Sequence, residues 1–160
     1  MMRYARIGSG GTKTKGKNGA GIFFTDGSSV LLLKRSDVGD NPDTWALPGG
    51  TAKQGETPIG TAIRETKEET GLSQIPGYRI ESLDTKNGRQ NFTVFIYRVK
   101  ENFDIDLSKE HTDWEWVKFD SLKEKTLHPK FEENIDRYLR VIRRKIDTFE
   151  EWVNFTESCF

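Results

Sequence analysis

Three glutamates, Glu65, Glu68 and Glu69, stand at i, i+3 and i+4 in the stretch GTAKQGETPIGTAIRETKEETGL, which runs from Gly50 to Leu72. In a helix that spacing puts three carboxylates on one face. Like charges so placed repel by about 0.2–0.5 kcal/mol per pair, so the cluster makes physical sense when a divalent cation neutralises it. Hard oxygen donors of this kind suit Mg²⁺ or Mn²⁺. A cation held by carboxylates with coordination positions left open suits phosphate chemistry.

The elements that must position these groups are legible around them. Thr57 is a helix N-cap, Pro58 fits the first turn, and Gly71 fits a left-handed stop. Ile59, Ala62, Ile63 and Thr66 fall at i, i+3, i+4 and i+7 and form a core stripe, with the acidic face beside it and turned away. Upstream, Pro48-Gly49-Gly50 reads as a turn in which backbone comes close to a ligand. The Thr66 hydroxyl is expected to bond back to the Ala62 carbonyl.

The segment resembles the Nudix box, G-x5-E-x7-R-E-U-x-E-E-x-G-U with U aliphatic. Gly50, Glu56, Arg64, Glu65, Glu68, Glu69, Gly71 and Leu72 fall in register, and Thr66 stands where the pattern has an aliphatic residue. The resemblance implies a Nudix-type α/β/α sandwich with a mixed central sheet. It implies hydrolysis of a pyrophosphate bond in a nucleoside diphosphate linked to another group, with Mg²⁺ or Mn²⁺ as cofactor. Carried over by position, Glu69 is the leading metal ligand, followed by Glu68 and Glu65, and Glu65 is also a candidate general base. A carbonyl of Gly49 or Gly50 completes the metal shell, while Arg64 and Glu56 orient the carboxylates. The family often adds a carboxylate before a late Trp-containing strand. The segment EHTDWEWV offers Glu110, Asp113 and Glu115, of which Glu110 is favoured. His111 reads as an exposed loop histidine.

The chain has 160 residues and zero formal net charge, with 25 basic and 25 acidic residues. That suits one domain and gives no overall field toward nucleic acid or membrane. The single cysteine, Cys159, cannot form an internal disulfide, and no long apolar run or signal-peptide core is present. A cytoplasmic protein is expected. Residues 1–19 read as a Gly/Lys-rich leader, 20–146 as the Nudix domain, and 147–160 as a helical tail, capped at Thr148, that packs on the domain or makes a homodimer contact.

Strands are expected at Ala20–Thr25, Ser29–Arg35, Trp45–Leu47, Tyr78–Asp84, Asn91–Lys100 and Trp114–Phe119, with a second helix at His128–Lys145. In the strand from Asn91, Phe92, Val94 and Ile96 point one way, and Thr93, Phe95, Tyr97 and Val99 the other. Phe23, Phe24, Phe92, Phe95, Trp114 and Trp116 are the aromatics able to stack a base, with core packing the commoner fate of such rings. Of these, Phe24, Phe95 and Trp116 are taken as substrate-binding candidates, together with Arg35 at a strand end as a phosphate or ribose contact. Marks of the ADP-ribose, NADH and coenzyme A subclasses are missing downstream of the box. The substrate expected is a small nucleotide, an NTP or modified NTP of the house-cleaning kind. The alternatives are RNA 5′ ends or dinucleoside polyphosphates, ADP-ribose or NADH, and a non-catalytic nucleotide-binding regulator.

Overall fold

The computed structural model describes residues 17–87 and 90–158. The expected leader through Gly16, Gly88 and Arg89, and Cys159 and Phe160 lie outside the described residues. The strands are β1 (Asn18–Thr25), β2 (Ser29–Arg35), β3 (Trp45–Ala46), β4 (Gly49–Thr51), β5 (Tyr78–Asn87), β6 (Gln90–Arg98) and β7 (His111–Lys118). The helices are α1 (Pro58–Thr70) and α2 (Pro129–Ser158), with a 3-10 turn at Phe119–Glu124. Asn18 and Gly19, read from composition as leader, begin the first strand.

One mixed sheet runs β3-β2-β1-β6-β5, with β7 on β2 and β4 on β1. β1 pairs with β6 in parallel along its whole length. Its other edge changes partner. At Thr25 it meets β2, and from Gly21 back to Gly19 it meets β4. The chain therefore inserts Gly49-Gly50 beside the centre of the sheet.

The alternation expected for β6 is observed and divides the core into two layers. Phe23, Val30, Leu32, Val94 and Ile96 face α2, where they meet Phe131, Tyr138 and Ile142. Ile22, Phe24, Leu31, Leu33 and Phe95 face α1 and meet Ala62. This is the α/β/α sandwich. Among the described residues no helix is long and apolar enough to cross a membrane.

Four expectations change. Helix α2 continues without a break through Thr148 to Ser158, because a threonine is tolerated inside a helix as well as at its cap. β7 begins at His111, so that histidine is 8% exposed and lies in a strand. The buried face of α1 is centred on Ala62, Thr66 and Glu69, with Thr61 and Thr70, while Ile59 and Ile63 are half-buried. The Thr66 hydroxyl has no partner in its buried position; the bond to the Thr66 carbonyl comes instead from Thr70 Oγ1, at 2.6 Å.

Candidate active site

Helix α1 is set at both ends by local chemistry. Thr57 Oγ1 accepts from the Gly60 N–H at 3.1 Å. Gly71 takes the left-handed conformation, φ 72°, and returns its N–H to the Lys67 carbonyl at 3.0 Å. The carbonyls left over at the C-terminal end need donors from elsewhere. Asp106 N–H reaches Thr70 O at 2.8 Å and Ser108 N–H reaches Glu69 O at 3.2 Å. These two bonds draw the segment after β6 across the end of α1 and deliver Glu110 beside Glu69.

The result is a trio. Carboxylate oxygens of Glu65, Glu69 and Glu110 lie within 4.8 Å of one another. Glu69 is 3% exposed, not on an open face as the spacing alone implied. Its Oε1 accepts the Gly49 N–H at 2.9 Å. Burial pushes the Glu69 carboxyl well above its usual range, and the charges of Glu65 and Glu110 push the same way against the Gly49 bond. A buried carboxyl raised by two like neighbours gains most from a hard divalent cation, so the donor set fits Mg²⁺ or Mn²⁺.

The two glycines have separate tasks. The β1–β4 ladder runs through Ala52 N–H to Asn18 O and Ile22 N–H to Pro48 O. Antiparallel alternation then turns the peptide groups of Gly50 toward Ala20 and those of Gly49 away from β1. Gly49 thus offers its N–H to Glu69 and keeps its carbonyl outside the ladder. At Gly50 a Cβ would stand 2.5 Å from Glu65 Cδ. Only glycine leaves room for that carboxylate.

Arg64 ties the acidic groups together. It grips Glu56 through Nε at 2.6 Å and Nη2 at 3.0 Å. Its Nη1 reaches Glu65 and Glu68, each at 3.1 Å. The Arg64 guanidinium holds the Glu56 carboxyl down to about 2. Lys53 N–H and Thr61 Oγ1 also donate to Glu56. Glu68 stays outside the trio, half exposed and paired with Arg64.

A cleft opens beside Gly49 and Gly50, between the sheet and α2. Phe92 forms part of its wall, and a Cβ at Gly19 or Gly21 would come 2.9 Å or 3.3 Å from the Phe92 ring. Two strand glycines therefore let the ring lie close over β1. Opposite are Lys130, Glu133 and Asn134 of α2, with Thr85 and Tyr138 farther along. Lys130 bonds to Gln90 across the cleft, and Asn134 Nδ2 donates to Lys130 O at 2.8 Å. Arg35 borders the cleft. Its Nε is fixed on Asp40 O at 2.8 Å, and its terminal nitrogens make no further hydrogen bond among the described residues.

The other aromatic candidates are elsewhere. Phe24 and Phe95 are buried in the layer under α1. Trp116 packs edge-on against Phe103 and donates Nε1–H to Phe103 O at 2.9 Å. All three lie on the sheet face that α1 covers, so they are core; of the aromatic candidates, Phe92 reaches the cleft, where Phe131 and Tyr138 of α2 also contribute rings. Lys130, Glu133, Asn134 and Thr85 were not singled out as ligand contacts. Gly19 and Gly21 inside a strand were the available signal, since a strand glycine marks a close approach.

The comparisons agree with this geometry. The NUDIX domain family model matches residues 15–139. The chain belongs to the Nudix family. Hydrolases of this family generally use a divalent metal. The chain is 32% identical over 113 residues to the nucleoside triphosphatase NudI of Escherichia coli, covering 63% of this Nudix chain and 80% of that one. It is 30% identical over 109 residues to a Mycobacterium tuberculosis protein whose name assigns it, provisionally, as 8-oxo-dGTP diphosphatase 3. That match covers 64% of this chain but spans only half the length of the mycobacterial protein. Among solved structures, the Nudix hydrolase RenU of M. smegmatis superposes with a TM-score of 0.61 at 26% identity, covering 79% of this chain and 84% of that one.

Proposed function

We propose that this Nudix protein cuts a pyrophosphate bond in a small nucleotide, an NTP or modified NTP. The observation that carries the reading is Glu69, buried among Glu65 and Glu110 and bonded to Gly49 on the wall of a cleft that Phe92 also lines. The base lies against Phe92, facing Glu133 and Asn134. The phosphates run past the free fork of Arg35 toward Gly49 and Gly50. Glu65, Glu69 and Glu110 hold Mg²⁺ or Mn²⁺, with the Gly49 carbonyl as the backbone donor. When bound, the cation activates water, screens the phosphate oxygens and orients the attack.

The protein's own groups divide the remaining work. The Gly49 N–H fixes Glu69. Arg64 fixes Glu65, and that ion pair makes Glu65 the weaker base. The Glu110 carboxylate has no hydrogen bond among the described residues, so it is the group free to take the water's proton. Arg35 neutralises charge that builds on the phosphates. The RNA reading is less well supported. Arg137 donates to Asp84 O at 2.8 Å and Lys145 pairs with Glu81 at 3.5 Å, so these α2 cations are engaged with β5. The intact trio speaks against a regulator that has lost catalysis.

Phosphate and pyrophosphate release is the test, measured with Mg²⁺ and with Mn²⁺ on canonical and oxidised NTPs, ADP-ribose, NADH, diadenosine polyphosphates and 5′-triphosphate RNA. The expected result is preference for an NTP, with Glu69→Gln lowering kcat/KM about a hundredfold or more while the circular dichroism spectrum is kept. Preference for ADP-ribose or RNA, or full activity in Glu69→Gln, overturns the reading.

A further inference from the structure

A second cavity, of about 470 Å³, is lined by Arg35, Ser36, Val38, Lys109, Glu110 and His111. The trio touches the first cleft through Gly49 and Gly50 and the second cavity through Glu110. Arg35 lines both. The trio therefore has a neighbour or a member on the wall of each space, and Arg35 belongs to both walls.

The lining of the second cavity has a definite chemistry. Lys109 is exposed and has no ion pair or hydrogen bond among the described residues. Arg35 brings the unengaged end of its guanidinium. His111 is 8% exposed, and its Nδ1 is buried without a hydrogen-bond partner. Such an atom in a folded protein is uncommon and calls for an explanation such as a missing ligand or water. Ser36 is occupied locally: its Oγ accepts the Val38 N–H at 3.3 Å and reaches Val38 O at 3.5 Å, and its N–H goes to Glu110 O at 3.0 Å. Glu110 is the one carboxylate on the wall and belongs to the trio. Among the described residues no Phe, Tyr or Trp lines the cavity, so they offer no stacking surface there for a second base or a nicotinamide ring. The Lys109 ammonium and the Arg35 guanidinium make an anion site beside a neutral His111 ring, and a guanidinium fork with a lysine suits phosphate oxygens in particular.

We propose that this cavity is a subsite for the phosphate groups farthest from the nucleoside, so that the protein selects substrates by the length and free end of their polyphosphate chain. The proposal rests on the nucleotide reading above and adds the substrate class. A chain of three or more phosphates with an uncapped end fills cleft, carboxylates and subsite together. A diphosphate leaves the subsite vacant, and a chain closed by a second nucleoside brings a neutral, flat group to a place built for charge.

The experiment compares 5′-di-, tri- and tetraphosphates of one nucleoside, and the corresponding dinucleoside tetraphosphate, as substrates and as competitive inhibitors. Wild type, Lys109→Ala and Lys109→Arg are used, and calorimetry measures the binding of inorganic triphosphate. Lys109 is a surface residue, and thermal melts verify that each variant is folded. In wild type KM is expected to fall from di- to triphosphate. Lys109→Ala should raise KM for the triphosphate about tenfold, a low-end loss for a charge-assisted hydrogen bond, and should do so more than for the diphosphate. Inorganic triphosphate should bind about tenfold more weakly to that variant, and Lys109→Arg should recover most of both losses. An equal effect of Lys109→Ala at every chain length overturns the subsite, as does no effect at all or a preference for the capped tetraphosphate. Nucleotide hydrolysis with no dependence on chain length rejects the subsite and leaves the proposed function standing. Failure of wild type to turn over any nucleotide rejects the proposed function, and the inorganic triphosphate comparison then still decides the subsite.

Discussion

Replacing Gly50 with alanine separates the position of a carboxylate from its chemistry. The backbone at Gly50 is outside the left-handed region, so alanine is allowed there. Its Cβ would lie 2.5 Å from Glu65 Cδ and 2.7 Å and 2.8 Å from the two carboxylate oxygens. To restore an ordinary contact the carboxyl must retreat by roughly 1 Å, a displacement that can cost on the order of a hundredfold in rate. That is about 2.7 kcal/mol of transition-state stabilisation. The fold loses little, because the displaced group is the end of a flexible side chain; a strained rotamer costs about 1 kcal/mol. The assay is steady-state hydrolysis of the preferred nucleotide by wild type, Gly50→Ala, Glu65→Ala and the double variant, with thermal melts alongside. Gly50→Ala is expected to lower kcat/KM about a hundredfold and to have little further effect once Glu65 is already alanine. Near wild-type turnover in Gly50→Ala refutes the reasoning. So does full additivity in the double variant, since the glycine would then serve something other than Glu65.

Other expectations follow from the same contacts. Because the Glu69 carboxyl is raised above its unfolded value, the stability it contributes to the metal-free protein is fully present below the ordinary glutamate range and is lost as pH rises through the raised value. Melting temperature in EDTA should therefore fall as pH is raised from the acid side, Glu69→Gln should flatten that dependence, and Mg²⁺ or Mn²⁺ should restore the wild type; a pH-independent wild type would contradict this. Arg64→Lys keeps the charge but loses the two-point grip on Glu56, so activity should drop about tenfold to a hundredfold, and unchanged kcat/KM would show the grip to be dispensable. Thr66→Val removes a buried hydroxyl with no partner. It should stabilise by about 1 kcal/mol and raise Tm by about 2–4 °C, and a lower Tm would mean the hydroxyl is satisfied.

Local chemistry explains which parts could be read in advance. The ends of α1 were legible because Thr57, Pro58 and Gly71 act on their own neighbours. The faces of β6 were legible because alternation is a property of the strand itself. The burial of Glu69 was not, because it depends on β4 being inserted beside β1 and on residues 106–108 crossing the end of the helix. The position of His111 depends in the same way on β7 pairing with β2 from its first residue, opposite Arg35. Spacing placed Phe92 and Phe95 on opposite sides of the sheet, but nothing local says which side stays open. The cleft faces α2, and only the packing of α1 on Ile22, Phe24 and Phe95 decides that.

The division of the sheet into two faces bears on how such a protein changes over generations. The trio is carried by α1 and the segment before β7, whereas the wall proposed to meet the base is carried by α2, β5 and β6. Substitutions at Thr85, Glu133 or Asn134 can alter which base is accepted without moving Glu65, Glu69 or Glu110. Diversification of substrate and preservation of chemistry are thereby assigned to different helices. The burden falls on α2: Phe131 and Tyr138 line the cleft and also close the core, so new specificities should arise more readily at its exposed positions than at these two rings.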